Sequence, residues 1–305
     1  RQRQMCIRDS PGALAHRGYD LERILEQVYL GADGIYGMPL GVSATFVIII
    51  VVLGALLEKT GASGVLMDVA VSMTRKSRGG PAKAAVVGSS LMGMISGTAV
   101  ANVLTTGTIS IPLMKRAGYK PSVAGAVEAV ASTGGQLMPP IMGAAAFLMA
   151  DIMEVPYLEI TKSALLPAIL FYIAVFWAVH LEALKAGLRP LGNFEVPDVI
   201  ESLSKNGHVL LAIPVFVGAL VSGYSVMYSS LAGIVCVLGL SLLKKSSRMS
   251  PTQLVEAAVS ASEAIIPVAL ATATAGIIIG VVTLTGMGLK SVSYTHLTLP
   301  TTGSV

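Results

Sequence analysis

Charged side chains are scarce along this chain: Asp, Glu, Lys and Arg together make up 12% of its 305 residues, and aromatic residues only 5%. A soluble domain carries about twice that share of charge, so a surface facing water on all sides is excluded. Cysteine is nearly absent as well. Cys6 and Cys236 supply neither a disulfide framework nor a zinc-ligand spacing, which sets redox and metal-cluster chemistry aside. No Gly-rich loop ends in Gly-Lys-Ser or Gly-Lys-Thr, so a pump driven by ATP would have no phosphate cradle. Residues 1–33 are polar and mixed in charge, without the apolar run of a signal peptide.

What the chain does have is apolar bulk, with 53% hydrophobic residues and a mean hydropathy of +0.75. This is the composition of an all-α polytopic membrane protein, with room for about seven or eight spans. The formal charge of +4 does not indicate nucleic acid, because Lys and Arg fall in small clusters between apolar runs. Those clusters read as topology signals. Residues 38–58 are long enough to span, and a shorter amphipathic piece, 65–73, runs into "RKSRGGPAK" at 75–83. Two apolar arms follow, 84–96 and 103–114, each shorter than the roughly 20 residues that spanning needs. They are flanked by that basic cluster and by "KRAGYK" at 115–120, which puts both outer ends in the cytoplasm. The pattern predicts a re-entrant hairpin over 84–114 with its turn at "SGTAVAN", 96–102; the alternative is one tilted helix that carries "KRAGYK" to the far side.

Residues 122–151 are apolar at both ends and interrupted by Thr133, Gly134, Gly135, Gln136, Pro139 and Pro140. Paired glycines and paired prolines cannot continue a helix, so a broken helix is expected. Breaks of this kind in secondary transporters expose carbonyls to ions and helix N-termini to anions; the plainer reading is a packing kink. Beyond an acidic loop at 151–157 come a span at 160–181, a polar connector at 187–208, helices at 209–222 and 226–243, an amphipathic stretch at 253–263 and a last apolar run to 290. "IIIGVVTLTGMG" at 277–288 echoes "IIIVVLGALLEKTG" at 48–61, the faint internal likeness that inverted repeats leave. The organisation expected is therefore a polar segment 11–37, a first repeat 38–186, a connector 187–208, helices over 209–263 and the start of a second repeat at 264–290. Residues 1–10 and 291–305 differ in character from the rest and are set aside as non-native-looking.

Several residues carry two readings. Glu128 lies inside an apolar helix, where an ionisable group is costly; proton coupling and a hydrogen bond to the hairpin both explain it. Ser89, Ser90, Gly93 and Gly97 have the spacing of close helix packing. Asn102, a carboxamide at a turn, caps the next helix or binds ion and solute. "GASG" at 61–64 has the form found around intramembrane serine nucleophiles, with His180 or His208 as partner, yet both histidines border polar loops. A membrane scaffold without transport would need no broken helices lined with hydroxyls.

Long consecutive stretches carry a resemblance: "LEKTGASG", "RGGPAKAAVVGSSLMGMISGTAVANVLTTGTISIPLMKRAGYKP" and "GAVEAVASTGGQLMPPIMGAAAFLMAD". From about Asp33 to Lys290 the chain resembles the large permease subunit of tripartite ATP-independent periplasmic (TRAP) transporters, of the type fused to the small subunit. The resemblance implies an inverted-repeat, elevator-type, Na⁺-coupled symporter in the bacterial inner membrane. It also implies organic-acid solutes handed over by a periplasmic binding protein, no cofactor beyond Na⁺, and no enzymatic activity. The family's pattern maps onto Ser96, Gly97, Thr98, Ala99 and Asn102, with Thr105 and Thr106 behind them, and onto Ser132, Thr133, Gly134, Gly135, Gln136, Pro139 and Pro140. Na⁺ would fall to Ser96, Asn102, Thr133 and Gly135, with Glu128 as a possible coupling group; hydroxyls, carboxamides and bare carbonyls suit Na⁺ better than Ca²⁺. The family's second hairpin has no counterpart among these motifs.

Overall fold

A computed structural model describes residues 18–188, 199–244 and 247–288. The head 1–10, the tail 291–305 and the basic residues Arg189 and Lys245 lie outside the described residues. Every regular element described is helical. In chain order these are α1 (Leu21–Leu25), α2 (Met38–Lys59), α3 (Ala62–Thr74), α4 (Gly80–Ser96), α5 (Ala99–Arg116), α6 (Pro121–Gly134), α7 (Ala144–Ile152), α8 (Tyr157–Lys185), α9 (Val199–Val221), α10 (Val226–Leu243) and α11 (Pro251–Thr285). Among the described residues, α2, α8, α9, α10 and α11 are long and apolar enough to cross a membrane.

The chain divides into two compact units, Thr45–Ile266 and a smaller one made of Arg1–Ala44 with Pro267–Val305. In the smaller unit the Ser43 and Thr272 hydroxyls lie 2.9 Å apart. Gly276 and Gly280 there leave room for the backbone of Asp33 and Gly34, since a Cβ on either glycine would sit within 2.5 Å of a carbonyl oxygen.

Within the larger unit, α4 and α5 form the expected hairpin. Its turn is tighter and its arms longer than the apolar runs suggested. Gly97 takes the left-handed conformation that ends α4 (φ 62°), and Thr98 caps α5 by accepting from the Ala101 N–H at 3.3 Å, so only these two residues are non-helical. Residues 99–102, expected in the turn, already belong to α5, and Asn102 is not the cap. The arms run antiparallel, with Ser89 opposite both Asn102 and Thr106.

The outer ends of the hairpin meet. The Tyr119 hydroxyl, just after α5, donates to the Gly79 carbonyl, just before α4, at 3.5 Å. Burial first, and the Glu182 carboxylate second, push the Tyr119 phenol up to about 12, so it remains a neutral donor at physiological pH. Gly79 also sits against Ala183, and Gly118 against Leu188, which brings the end of α8 to the same place. The basic clusters at 75–83 and 115–120 therefore share one end of the larger unit, beside the end of α8. Lys83 is an exception to the expected solvated loop: it is buried on α4, with its ammonium 5.0 Å from the centre of the Phe176 ring.

The connector expected over 187–208 is helical from Val199 in its described part: Val199–Asn206 opens α9, and a 3-10 turn at Gly207–Leu211 joins it to the apolar remainder of that helix. Residues 253–288, read as an amphipathic piece plus a separate span, are mostly one helix, with Pro267 inside it.

If both ends of the hairpin face the cytoplasm, cysteines at the exposed positions Arg78 and Lys120, in a background without Cys6 and Cys236, label from the same side of the membrane. Labelling from opposite sides would rule out the hairpin topology.

Candidate functional site

The second expected feature is also present. Helix α6 tightens into a 3-10 turn at Gly135–Leu137, loses regular structure to Gly143, and resumes as α7. The break supports itself by few contacts. The Gly143 N–H donates to the Gln136 carbonyl at 2.8 Å, and the Tyr157 hydroxyl of α8 donates to the carbonyls of Pro140 and Ile141. Met142 is held at φ 57°, a left-handed conformation that side chains other than glycine avoid.

The break and the hairpin touch. A Cβ on Gly93 would lie 2.2 Å from the Gly135 Cα, and one on Gly97 would lie 2.6 Å from the Met142 carbonyl oxygen. Glycine is required at 93 because backbone meets backbone there. At these two points the hairpin and the break pack directly, glycine backbone of the hairpin against backbone of the break.

Asn102 sits at this junction, fully buried. Its Nδ2 donates to the Ser89 carbonyl at 2.8 Å and lies 2.8 Å from where a Cβ on Gly135 would stand. Its Oδ1 is buried without a partner among the described residues. A buried acceptor left empty costs about 1–3 kcal/mol, so this oxygen is a ready ligand for a cation or a water.

One turn further along sits a second buried polar centre, around Glu128. Its Oε1 accepts from Ser89 (3.2 Å), Ser132 (3.1 Å) and Thr106, while Oε2 accepts from Ser110. Of the two readings of Glu128, the hydrogen bond to the hairpin is present, through Ser89, Thr106 and Ser110. Tyr172 of α8 adds to the layer, donating to the Ala131 carbonyl at 2.9 Å.

The remaining expected residues divide. Gly97, Asn102, Thr106, Ser132, Gly134 and Gly135 are buried at or near the junction. The Thr105 hydroxyl turns back to the Ala101 carbonyl at 2.6 Å, and the Thr133 hydroxyl, exposed, to the Ala129 carbonyl at 2.8 Å. Ser96 is half-buried beside the turn, Gln136 is exposed and Pro139 half-buried. Ser90, read as packing, donates to the Val87 carbonyl. Ser110 was not singled out, although residues 102, 106 and 110 form an i, i+4 polar stripe on one face of α5. Tyr157 and Tyr172 carried no signal in the sequence.

The geometry is that of a hairpin closed onto a broken helix inside a membrane protein. The family model for the tripartite ATP-independent periplasmic transporter, DctM component, matches residues 9–303. The chain belongs to this TRAP transporter family. It is therefore a permease-type component of the inner membrane, and the five candidate spans among the described residues agree with a multi-pass protein. Two curated relatives are similar over shorter stretches. The C4-dicarboxylate TRAP transporter large permease protein DctM of Pseudomonas aeruginosa is 27% identical over 170 residues, 56% of this chain and 39% of that protein. The uncharacterized protein y4mL of Sinorhizobium fredii is 31% identical over 119 residues, 38% of this chain and 28% of that protein. The chain thus matches less than half the length of either. The protease alternative gains nothing from the TRAP fold: His208 Nε2 lies 2.9 Å from Ser247 Oγ, His180 packs on Trp177, and Ser63 Oγ has no partner among the described residues.

The glycine contact predicts a stability difference. Gly93→Ala must force the hairpin away from the break and costs about 1–3 kcal/mol, read as a lower unfolding midpoint in detergent. Gly125→Ala, which meets nothing within 4 Å, leaves the midpoint equal or higher. Equal midpoints for Gly93→Ala and the native chain would show that the two elements do not pack as described.

Proposed function

We propose that this chain is the membrane permease of a Na⁺-coupled secondary transporter that imports organic-acid anions delivered by a periplasmic solute-binding protein. The observation that carries the reading is the unpartnered, buried Asn102 Oδ1 at the meeting point of hairpin and break. In this reading Na⁺ is held there by Asn102, by carbonyls of the Gly135 break, and by Ser96 and Thr133 at the margins. Oxygen ligands without a fixed carboxylate suit a monovalent hard cation. The N-termini of α5 and α7 flank the two breaks, and their partial positive charge suits a carboxylate solute. The name of the Pseudomonas aeruginosa relative makes C4-dicarboxylates the first solutes to try.

An elevator motion fits the same geometry. The hairpin, the break and α6 are joined by buried hydrogen bonds and by glycine contacts, so they would move as a block, with ion and solute carried between them.

Uptake is tested in proteoliposomes that hold the whole transporter and its binding protein. The expected result is uptake that requires an inward Na⁺ gradient, with the Na⁺ concentration for half-maximal rate raised about tenfold by Asn102→Ala. Ser90→Ala leaves that concentration unchanged. Uptake undiminished when choline replaces Na⁺ and a proton gradient remains would overturn Na⁺ coupling and point to H⁺ coupling instead.

A further inference from the structure

Glu128 lies outside the ion site proposed above, yet it is bonded to two residues, Ser89 and Thr106, that in turn contact Asn102. We infer that Glu128 is a positioning residue: its carboxylate fixes the Ser89 and Thr106 segments that orient the Asn102 carboxamide and leave its Oδ1 uncommitted. The inference rests on the reading of Asn102 as an ion ligand.

The four hydroxyls on Glu128 come from three helices: Ser89 from α4, Thr106 and Ser110 from α5, and Ser132 from its own α6. Two of the four also hold Asn102. Ser89 gives its hydroxyl to Glu128 while its backbone carbonyl takes Asn102 Nδ2. The Thr106 hydroxyl lies against both the carboxylate and the Asn102 carbonyl, the latter at 2.7 Å. The carboxamide orientation follows from these contacts. A flipped amide would set Oδ1 against the Ser89 carbonyl, acceptor facing acceptor. So long as the α4–α5 register holds Ser89 in place, Nδ2 is spent on it and Oδ1 is the free group.

Removing the carboxylate removes the acceptor that these four hydroxyls share. Ser89 and Thr106, 3.2 Å apart, then bond each other or the helix carbonyls, and α6 is left joined to that part of the hairpin by apolar packing alone. Ser110 separates positioning from general stability. It binds the other oxygen, Oε2, two turns along α5 from Asn102, so its loss weakens the layer without touching the carboxamide.

A glutamine at 128 separates positioning from proton transfer. Its Oε1 keeps the three donors on that side, and Ser110 can turn to accept from the new NH₂, but the side chain no longer carries a proton to exchange. A positioning role survives this change, whereas a proton-carrying role fails in Glu128→Gln as completely as in Glu128→Ala.

The test uses the purified chain in detergent, with Na⁺ as the probe and the rise of the unfolding midpoint with Na⁺ concentration as the readout. The native chain is expected to respond to Na⁺ and not to choline. Glu128→Ala raises the Na⁺ concentration for half the response about tenfold or more, and Glu128→Gln recovers most of that loss. Thr106→Val, nearly the same shape, weakens the Na⁺ response in the same direction and serves if Glu128→Ala does not fold. Ser110→Ala lowers the Na⁺-free midpoint but leaves the Na⁺ dependence where it was. Native Na⁺ dependence in both Glu128→Ala and Thr106→Val would overturn the positioning role alone. Equal loss in Glu128→Ala and Glu128→Gln would overturn it in favour of the ionisable proton. No Na⁺ response in the native chain would overturn it together with the ion site on which it rests.

Discussion

A buried carboxylate is tolerable only when donors surround it, and the larger unit of this fold is organised around that requirement. Glu128 takes hydroxyls from both arms of the hairpin and from its own helix, so the three helices share one register. Everything at the junction depends on this alignment. It puts Gly93 against Gly135, which lets the break approach the hairpin, and it places the Asn102 carboxamide where one end is satisfied and the other is not. In apolar surroundings a hydroxyl with no acceptor loses far more than it would in water, so such a layer holds as a set or loosens as a set.

Class and outline were legible in the sequence because they follow from composition and from breakers. The short arms between two basic clusters implied a return to the same side, and Gly134, Gly135, Pro139 and Pro140 implied that a helix could not continue. The extent of the arms was misjudged because hydropathy marks apolar residues rather than helical ones. Gly80 to Lys83 and Lys115 to Arg116 are helical without being apolar, and Ala99 to Asn102 are helical because Thr98 caps them. The connector was read only as polar, and polarity within 199–206 does not prevent a helix.

The site was legible in part. Asn102 and Glu128 stood out because each is a polar side chain in an apolar run, where its presence demands partners. Which partners was a matter of three-dimensional register. Ser110 lies on the stripe of 102 and 106, but hydroxyls at such spacing usually bond back to their own helix, as Thr105 and Thr133 do here. Tyr157 and Tyr172 act by reaching from α8 to carbonyls of another segment, contacts that no local pattern encodes.

The contact between Gly93 and Gly135 limits how the sequence can drift. Most packed pairs can exchange volume, one residue growing while its neighbour shrinks, and so leave a covarying trace over time. Here both partners are already the smallest residue there is, and what meets is backbone. Enlargement on either side therefore has no compensating change on the other, and the two positions are expected to stay fixed without covarying. Adaptation to a different solute would have to proceed around this point rather than through it.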